Sequence, residues 1–385
     1  MFNHILKLIW KKRKSNALMM LEIFFSFLIL FAVWSLTVYT WRNYAQPKGL
    51  NSERVWVMYL NFNADEDSLR NQARELTQQE MARFKEIESF AFVSSNAPYS
   101  FSTMNSAFEV NGKSHLTDII AAGDNYDATL GIELKAGRWF EMSDTIGKNQ
   151  PVVINRVLAE NMFGREDPIG KTIGSDDNPR VVVGVVDYFR HKSSFQPDEN
   201  VLFQPMSKWE TDVLLRVAPG AGAAFEARLT EAMHRLGKDW NIEVQHLDDM
   251  RATQDKFILV PILILFIVCG FLVFNVALGL FGVLFQNINR RKGEIGLRRA
   301  IGATQKQVMQ YFIGETLVIA GFGLALGVFF AVQIPLLNVF DVETSTYLWA
   351  IVLAIASIVV IAVVCALYPS RQAAVILPAV ALHEE

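Results

Sequence analysis

The sequence predicts an α-helical membrane protein with four transmembrane helices and an α+β extracytoplasmic domain inserted between helices 1 and 2. Three observations lead there. Four long apolar blocks stand out, Leu18–Tyr39, Phe257–Phe285, Phe312–Ile334 and Tyr347–Tyr368. Basic residues gather on alternate sides of these blocks. The stretch between the first two has the composition of an ordinary soluble domain.

Each block is about 20 residues or longer, enough to cross about 30 Å of hydrocarbon as a helix. Buried helices of large soluble proteins rarely run this long with so little charge. The first block follows a basic stretch, as a secretory signal does. It exceeds a signal's usual apolar length, and no small-x-small cleavage site follows in Thr40-Trp-Arg-Asn-Tyr44, so it reads as a retained anchor.

Orientation follows from the excess of Lys and Arg in cytoplasmic segments. The N-terminal tail carries Lys7, Lys11, Lys12, Arg13 and Lys14 with no acid. The loop at 286–311 carries Arg290, Arg291, Lys292, Arg298, Arg299 and Lys306 against Glu294 alone. The loop at 335–346 has Asp341 and Glu343 and no base. Both termini (1–17 and 369–385) and 286–311 are therefore expected inside, and 40–256 and 335–346 outside. Trp34, Trp41 and Trp349 sit near the expected interfaces, as aromatic belts do. In residues 3–14, Ile5, Leu8 and Ile9 share a helical face among bases, which suggests a helix lying in the inner interface; a disordered basic tail is the alternative.

The outer stretch 42–256 holds 32 Asp and Glu against 24 Lys and Arg. That balance excludes nucleic acid, which needs a basic face. The cytoplasmic bases are accounted for by topology and by anionic lipid of the bilayer. Cys269 and Cys365 fall at different depths in two spans, so no disulfide is expected between them.

The outer domain alternates strands and helices. Arg54–Leu60 alternates like a strand. Ser68–Glu86 has Leu69, Ala73, Leu76 and Met81 at helical spacing. Phe90–Ser94, Ala107–Val110 and Ile119–Ala121 read as short strands, and Val152–Ile154 as a strand leading into a helix, Arg156–Phe163. Arg180–Val186 and Val213–Val217 are β-branched strands. A turn at Pro219–Gly222 precedes a helix over Ala224–Leu236, and Ile242–Leu247 closes the domain. Leu247–Lys256 is expected to run into the second span (257–285) as one helix.

Gly164–Thr172 resembles a phosphate-binding loop only superficially. A Walker loop has four residues between its glycines, whereas Gly164 and Gly170 enclose five. It reads as a turn before a strand. No HExxH, GxSxG or His/Cys cluster is present, and the scattered histidines read as surface residues. Nothing supports a catalytic residue, a metal site or a cofactor. Glu22 and Glu315 lie within apolar blocks, where acids are functional suspects. Both are near cytoplasmic helix ends, so a structural ion pair with a base such as Lys12 or Arg299 competes with a transport role.

The loop before the third span (312–334) is the most informative segment. Glu294 and Arg298 stand four apart with the acid first, the favoured order for a helical pair. Leu297 and Ile301 form a small apolar ridge. Gly302 supplies a helix stop, and Thr304-x-x-Gln307 is a capping box that starts the next helix. The pattern predicts a short rigid basic helix coupled to a membrane helix.

Arg291-Lys-Gly-Glu294-Ile-Gly-Leu297-Arg298-Arg299-Ala-Ile301-Gly302-Ala303 is very similar to the cytoplasmic loop signature of FtsX/MacB-type ABC permeases. Tyr368-Pro-Ser-Arg371-Gln-Ala-Ala374 and Pro378-Ala-Val-Ala-Leu382 resemble that family's C-terminal signature. Gly137-Arg-Trp-Phe140, the Asn161–Gly174 segment and Val183-Gly-Val-Val-Asp187 resemble a MacB-like periplasmic core domain. The resemblance implies an FtsX-like permease domain over 250–385 with a fourth span at 347–368, in a bacterial inner membrane. It implies ATPase coupling through Glu294, Leu297, Arg298, Arg299, Ile301 and Gly302, and a separate cytoplasmic ABC ATPase, because the N-terminal tail is short. It further implies a second copy or a paralogue as partner, and for export a periplasmic adaptor and outer-membrane channel. Within the family, lipoprotein release and regulation of a cell-wall hydrolase are the competing activities; a stand-alone receptor is disfavoured by the loop signature.

Overall fold

The computed structural model describes residues 13–375, except 64–65, 95, 111, 142–143, 145–148, 175–178, 207–210, 338–339 and 341, with side chains from residue 17 onward. The N-terminal interfacial segment up to residue 12, Asp341 and the Pro378–Leu382 signature lie outside these residues. The chain forms two compact units, Asn43–Ile258 and the combination of Met1–Arg42 with Leu259–Glu385.

The outer unit is built on a mixed sheet. In chain order its elements are β1 (Val55–Asn61), α2 (Asp67–Met81), β2 (Ile87–Val93), β3 (Asn105–Val110), β4 (Lys113–Ala122), α3 (Tyr126–Leu130), β5 (Leu134–Gly137), β6 (Gln150–Asn155) and α4 (Arg156–Phe163). Then come β7 (Thr172–Ile173), β8 (Arg180–Val186), β9 (Val201–Pro205), β10 (Asp212–Val217), α5 (Ala223–Leu236) and β11 (Asn241–His246). The strand order is β11-β1-β10-β2-β4-β9-β6-β8-β5, with β3 beside β4 and β7 beside β8.

The sheet has two halves. β11, β1, β10 and β2 pair antiparallel. In the other half β4 runs parallel to β9, and β6 parallel to β8. The halves meet where Val93 of β2 pairs with Ala122 of β4. Strand alternation sends Val55 and Val57 of β1 into a core shared by both halves, with Tyr126, Val153, Phe189 and Phe203. Trp56, Met58 and Leu60 point the other way, into a core with Phe225, Leu229 and Met233 of α5. A third core covers the second half, where Val152, Ile154 and Val182 meet Leu158 and Met162 of α4. Leaving a strand with both faces dry explains why β1 is an almost unbroken apolar run.

Several sequence expectations are corrected here. The helix expected over 68–86 ends at Met81. Its buried face is Ala73, Thr77 and Met81, whereas Leu69 and Leu76 are exposed. α3, β5 and β9 were not legible as elements. His191 is not a surface residue: it is buried, with Nε2 3.1 Å from Asp118 Oδ2.

The second unit contains α1 (Arg13–Tyr44), most of α6 (Leu247–Asn289), α7 (Lys292–Ala300), α8 (Gln305–Leu337) and α9 (Thr344–Val375). Four of these helices, Ala17–Tyr44, Leu247–Asn289, Gln305–Leu337 and Thr344–Val375, are long and apolar enough to cross a membrane. Residues 247–256 do run into the long α6 without a break. Small residues let α1 and α8 approach closely, as is common between membrane helices. A Cβ on Gly323 would lie 2.9 Å from the Met20 carbonyl oxygen, and one on Gly327 would overlap the Phe27 ring. Trp34 Nε1 donates to Ser357 Oγ at 3.1 Å. Cys269 and Cys365 are both free and buried.

Candidate functional site at the 289–307 loop

α6 ends at Asn289, and the chain turns through Arg290 and Arg291 before α7 begins. α7 is amphipathic. Ile295 and Gly296 face inward and are buried, whereas Leu297 and Ile301 are 53% and 79% exposed. The apolar ridge read from the sequence thus faces away from the protein's own core. Arg298 Nη2 donates to Glu294 Oε1 at 2.6 Å across one helical turn, and its guanidinium lies 4.1 Å from the centre of the Tyr311 ring.

The helix stop is a left-handed glycine. Gly302 has φ +101°, and the N–H groups of Gly302 and Ala303 donate to Arg299 O and Arg298 O at 3.1 and 3.0 Å. These bonds satisfy carbonyls that a helix end otherwise leaves open. The capping box follows at once. Gln307 N–H donates to Thr304 Oγ1 at 3.3 Å, and Thr304 N–H donates to Gln307 Oε1 at 2.8 Å. Only Gly302 and Ala303 separate Ile301 from Thr304, so α7 and α8 are joined by a short, doubly capped turn.

Arg291 is the anchor of this arrangement, and local sequence reading missed it. Its side chain is 7% exposed. Nε donates to Glu294 Oε2 at 2.8 Å, Nη2 donates to Glu294 Oε1 at 3.1 Å and to the Tyr311 hydroxyl at 3.3 Å, and Nη1 donates to Glu315 Oε2 at 2.8 Å. Burial pulls the Arg291 pKa down, but the two carboxylates and the tyrosine outweigh it and hold the group above the usual arginine value. In sequence Arg291 is one base among several. Its role depends on Glu315, and that pairing crosses the turn. The expected partner Arg299 instead donates to Ala303 O at 3.3 Å. Lys12 lies outside the described residues.

Glu294, Arg298 and Ile301 also line a cleft of ≈ 660 Å³ between α7 and α8, with Ile295, Val308, Tyr311 and Phe312 behind them. Leu297, Arg299 and Gly302 do not line this cleft, and Glu315 meets α7 through Arg291. Glu22 is not part of the cleft: its carboxylate lies against Gly279 of α6. Among the described residues no group of His, Cys, Asp and Glu is arranged to hold a metal ion.

These features define a multi-pass helical membrane protein that carries an α+β outer domain and one short basic loop helix. Residues 17–232 match the MacB-like periplasmic core domain, and residues 257–378 match the FtsX-like permease C-terminal domain. The chain belongs to the family of FtsX/MacB-type permeases. Among curated relatives, the macrolide export ATP-binding/permease protein MacB of Aggregatibacter actinomycetemcomitans is 25% identical over 248 residues, which cover 59% of this chain and 37% of that protein. Its namesake in Neisseria meningitidis serogroup A is 24% identical over 293 residues, 70% of this chain and 44% of that protein. The chain therefore spans less than half the length of these relatives. Among solved structures, the periplasmic region of MacB from Actinobacillus actinomycetemcomitans aligns with TM-score 0.39 at 19% identity, over 55% of this chain and 97% of that one. The extracellular domain of the ABC-type transporter YknZ from Gram-positive bacteria aligns with TM-score 0.35 at 14% identity, over 49% of this chain and 99% of that one.

Proposed function

We propose that this protein is the permease subunit of an ABC transporter. In this reading a separate cytoplasmic ATPase docks on α7, and ATP binding and hydrolysis there move the outer domain to drive export of a substrate. Both termini and the 286–311 loop face the cytoplasm, the outer domain faces the periplasm, and the permease works with a second copy of itself or a paralogue. The chain itself does not hydrolyse ATP. The export direction draws on the names of the curated relatives, which are macrolide exporters.

One observation carries this reading. α7 turns an exposed apolar ridge outward while Arg291 fastens its base to α8. A bare topological anchor needs positive charge only. A lever needs a face for its partner and a stiff joint to the membrane helix, and this loop has both. Helix-in-groove docking draws its affinity from i, i+4 anchors such as Leu297 and Ile301. Truncating one buried anchor costs about 2 kcal/mol at a hot spot, roughly a thirtyfold loss of affinity. The test is affinity purification of the full-length protein from native membranes. An ABC-type ATPase, identified by mass spectrometry through its Walker sequence, is expected with the wild type and lost from Leu297→Ala and Ile301→Ala. Equal recovery with all three would place the docking surface elsewhere.

A further inference from the structure

A polar segment in the outer unit, Phe189–Glu199, touches three structural elements that are distant in sequence. Arg190 is 2% exposed. Its Nη1 donates to Gln46 O at 3.1 Å and its Nε to Gln196 O at 3.1 Å, while its backbone N–H donates to Lys48 O at 2.9 Å. Asn43 Nδ2 donates to Phe195 O at 3.2 Å, and the Tyr44 and Phe195 rings stack at 5.1 Å. These contacts hold the chain that leaves α1.

The same segment grips the start of α6. Asp255 Oδ1 accepts from Ser193 Oγ at 2.7 Å and from the Ser194 N–H at 2.8 Å. A third set of contacts fixes it to the sheet. Asp118 of β4 takes His191 at 3.1 Å and Lys192 at 2.8 Å, and Asn155, at the end of β6, donates to Asp198 Oδ1 at 3.2 Å. Polar groups bonded to several elements at once, as Arg190, Asp118 and Asp255 are, restrict the chain, because moving one leaves others unpaired.

We propose that Phe189–Glu199 is a clasp that locks the chain entering the outer domain from α1 and the helix leaving it as α6 to the sheet, with Arg190 and Asp255 as its positioning residues. Segments 43–48 and 247–256 then move with the sheet as one body. This deepens the permease reading, in which those two segments are the covalent routes between the membrane helices and the outer domain. The clasp accounts for a costly feature: a buried guanidinium satisfied by backbone carbonyls on both sides of a junction. A surface loop with no mechanical duty has no need of one.

The experiment uses the full-length chain in nanodiscs, with Cys269 and Cys365 replaced by Ala and spin labels at Ala45→Cys and Ala252→Cys, both exposed positions. Pulsed electron paramagnetic resonance reads the distance distribution between them. The wild type is expected to give one narrow peak. Asp255→Ala and Arg190→Met are each expected to broaden it at least twofold. Asp255→Asn keeps an acceptor oxygen and should stay near the wild type. Val152→Ala, a core truncation in β6, softens the domain without touching the clasp and should leave the peak narrow. If Asp255→Ala fails to fold, Ser193→Ala removes one of its two bonds and should give intermediate broadening. A peak that stays narrow in the clasp variants, or broadens equally in Val152→Ala, overturns the proposal. No ATPase is present, so the clasp and the permease reading fail independently.

Discussion

Arg291 and Glu315 bind each other through two hydrogen bonds, Nη1 lying 2.8 and 3.1 Å from the two carboxylate oxygens, across 24 positions of chain. Glu315 sits inside an apolar helix and Arg291 in a basic loop, so the pair joins two physically different segments. Glu294 occupies the rest of the same guanidinium and holds Arg298 as well. The base of α7 is therefore fixed by charge, and its tip by the Gly302 turn.

Breaking one side of this pair should release α7. Removing one partner of a buried ion pair costs about 3–5 kcal/mol, whereas replacing both with apolar groups is often near neutral. Glu315→Gln and Arg291→Met are each expected to speed proteolytic cleavage within 291–303 at least tenfold in proteoliposomes that expose this loop. The double variant Arg291→Met with Glu315→Leu should recover much of the protection. Cleavage rates unchanged in both single variants would mean that packing of Ile295 alone holds the helix down.

The α1–α8 contact offers a second test. Gly323 and Gly327 stand one helical turn apart, against Met20, Ile23 and Phe27. A larger side chain at either position has to push the helices apart, and overpacking of this kind costs about 1–3 kcal/mol. Gly323→Leu and Gly327→Leu should lower the melting temperature in detergent by several degrees. Gly321→Leu, where an added Cβ meets nothing within 4 Å, should leave it nearly unchanged. Equal melting temperatures for all three would rule out this packing.

What the sequence revealed was what is encoded locally. The Thr304–Gln307 capping box and the Glu294–Arg298 pair are spacings of three and four residues, and both are present as hydrogen bonds. α4 and β8 have the bounds read from the sequence, because a strand-to-helix switch at Asn155 and a β-branched run are short-range signals. α2 was overextended because Leu69 and Leu76 fit a helical stripe, yet the stripe that is buried is Ala73, Thr77 and Met81. β9 is short, ends at Pro205 and follows a polar segment, so little in its composition distinguishes it. The two most connected arginines were invisible for the same reason. Arg291 needs Glu315, and Arg190 needs Gln46 and Gln196. A scan for local motifs does not pair such residues.

The outer domain should show an inverted pH response at two carboxyls. Burial raises Asp212 to about 6, against a smaller opposing pull from the Leu60 N–H. Burial likewise raises Asp198 to about 6, with the Phe189 N–H and Asn155 pulling it back. Both values lie above the unfolded carboxyl near 3.9. The folded state thus binds the proton more tightly, and the stability this confers is full below about 3.9 and lost as pH rises through about 6. Asp212→Asn is therefore expected to stabilise the outer domain at pH 7.5, by about 1 kcal/mol after allowing for screening of a partly exposed group. At pH 3.5, below the unfolded carboxyl value, the gain should nearly vanish. Thermal unfolding of the full-length protein at the two pH values checks this, and an equal shift at both would show that Asp212 is not neutral in acid. Asp198→Asn should gain less, because its second oxygen faces the Phe189 N–H at 3.4 Å.

Gly302 separates docking from force transfer. An added Cβ there would meet nothing within 4 Å, so the site is sterically open. The constraint is the backbone: φ is +101°, which glycine adopts freely and a β-branched residue resists. Gly302→Val should therefore leave Leu297 and Ile301 exposed and able to bind, while disturbing the turn that connects α7 to Thr304 and α8. If α7 is a lever, this variant keeps its ATPase and loses motion of the outer domain. The two readouts are co-purification of the ATPase, and the ATP-dependent change in distance between spin labels placed on the outer domains of paired permeases. Gly302→Val is expected to retain the first at wild-type level and to lose most of the second. Leu297→Ala and Ile301→Ala are expected to lose both. Retention of both by Gly302→Val would mean that force reaches α8 by a route other than this turn, and the Arg291–Glu315 pair would be the next place to look.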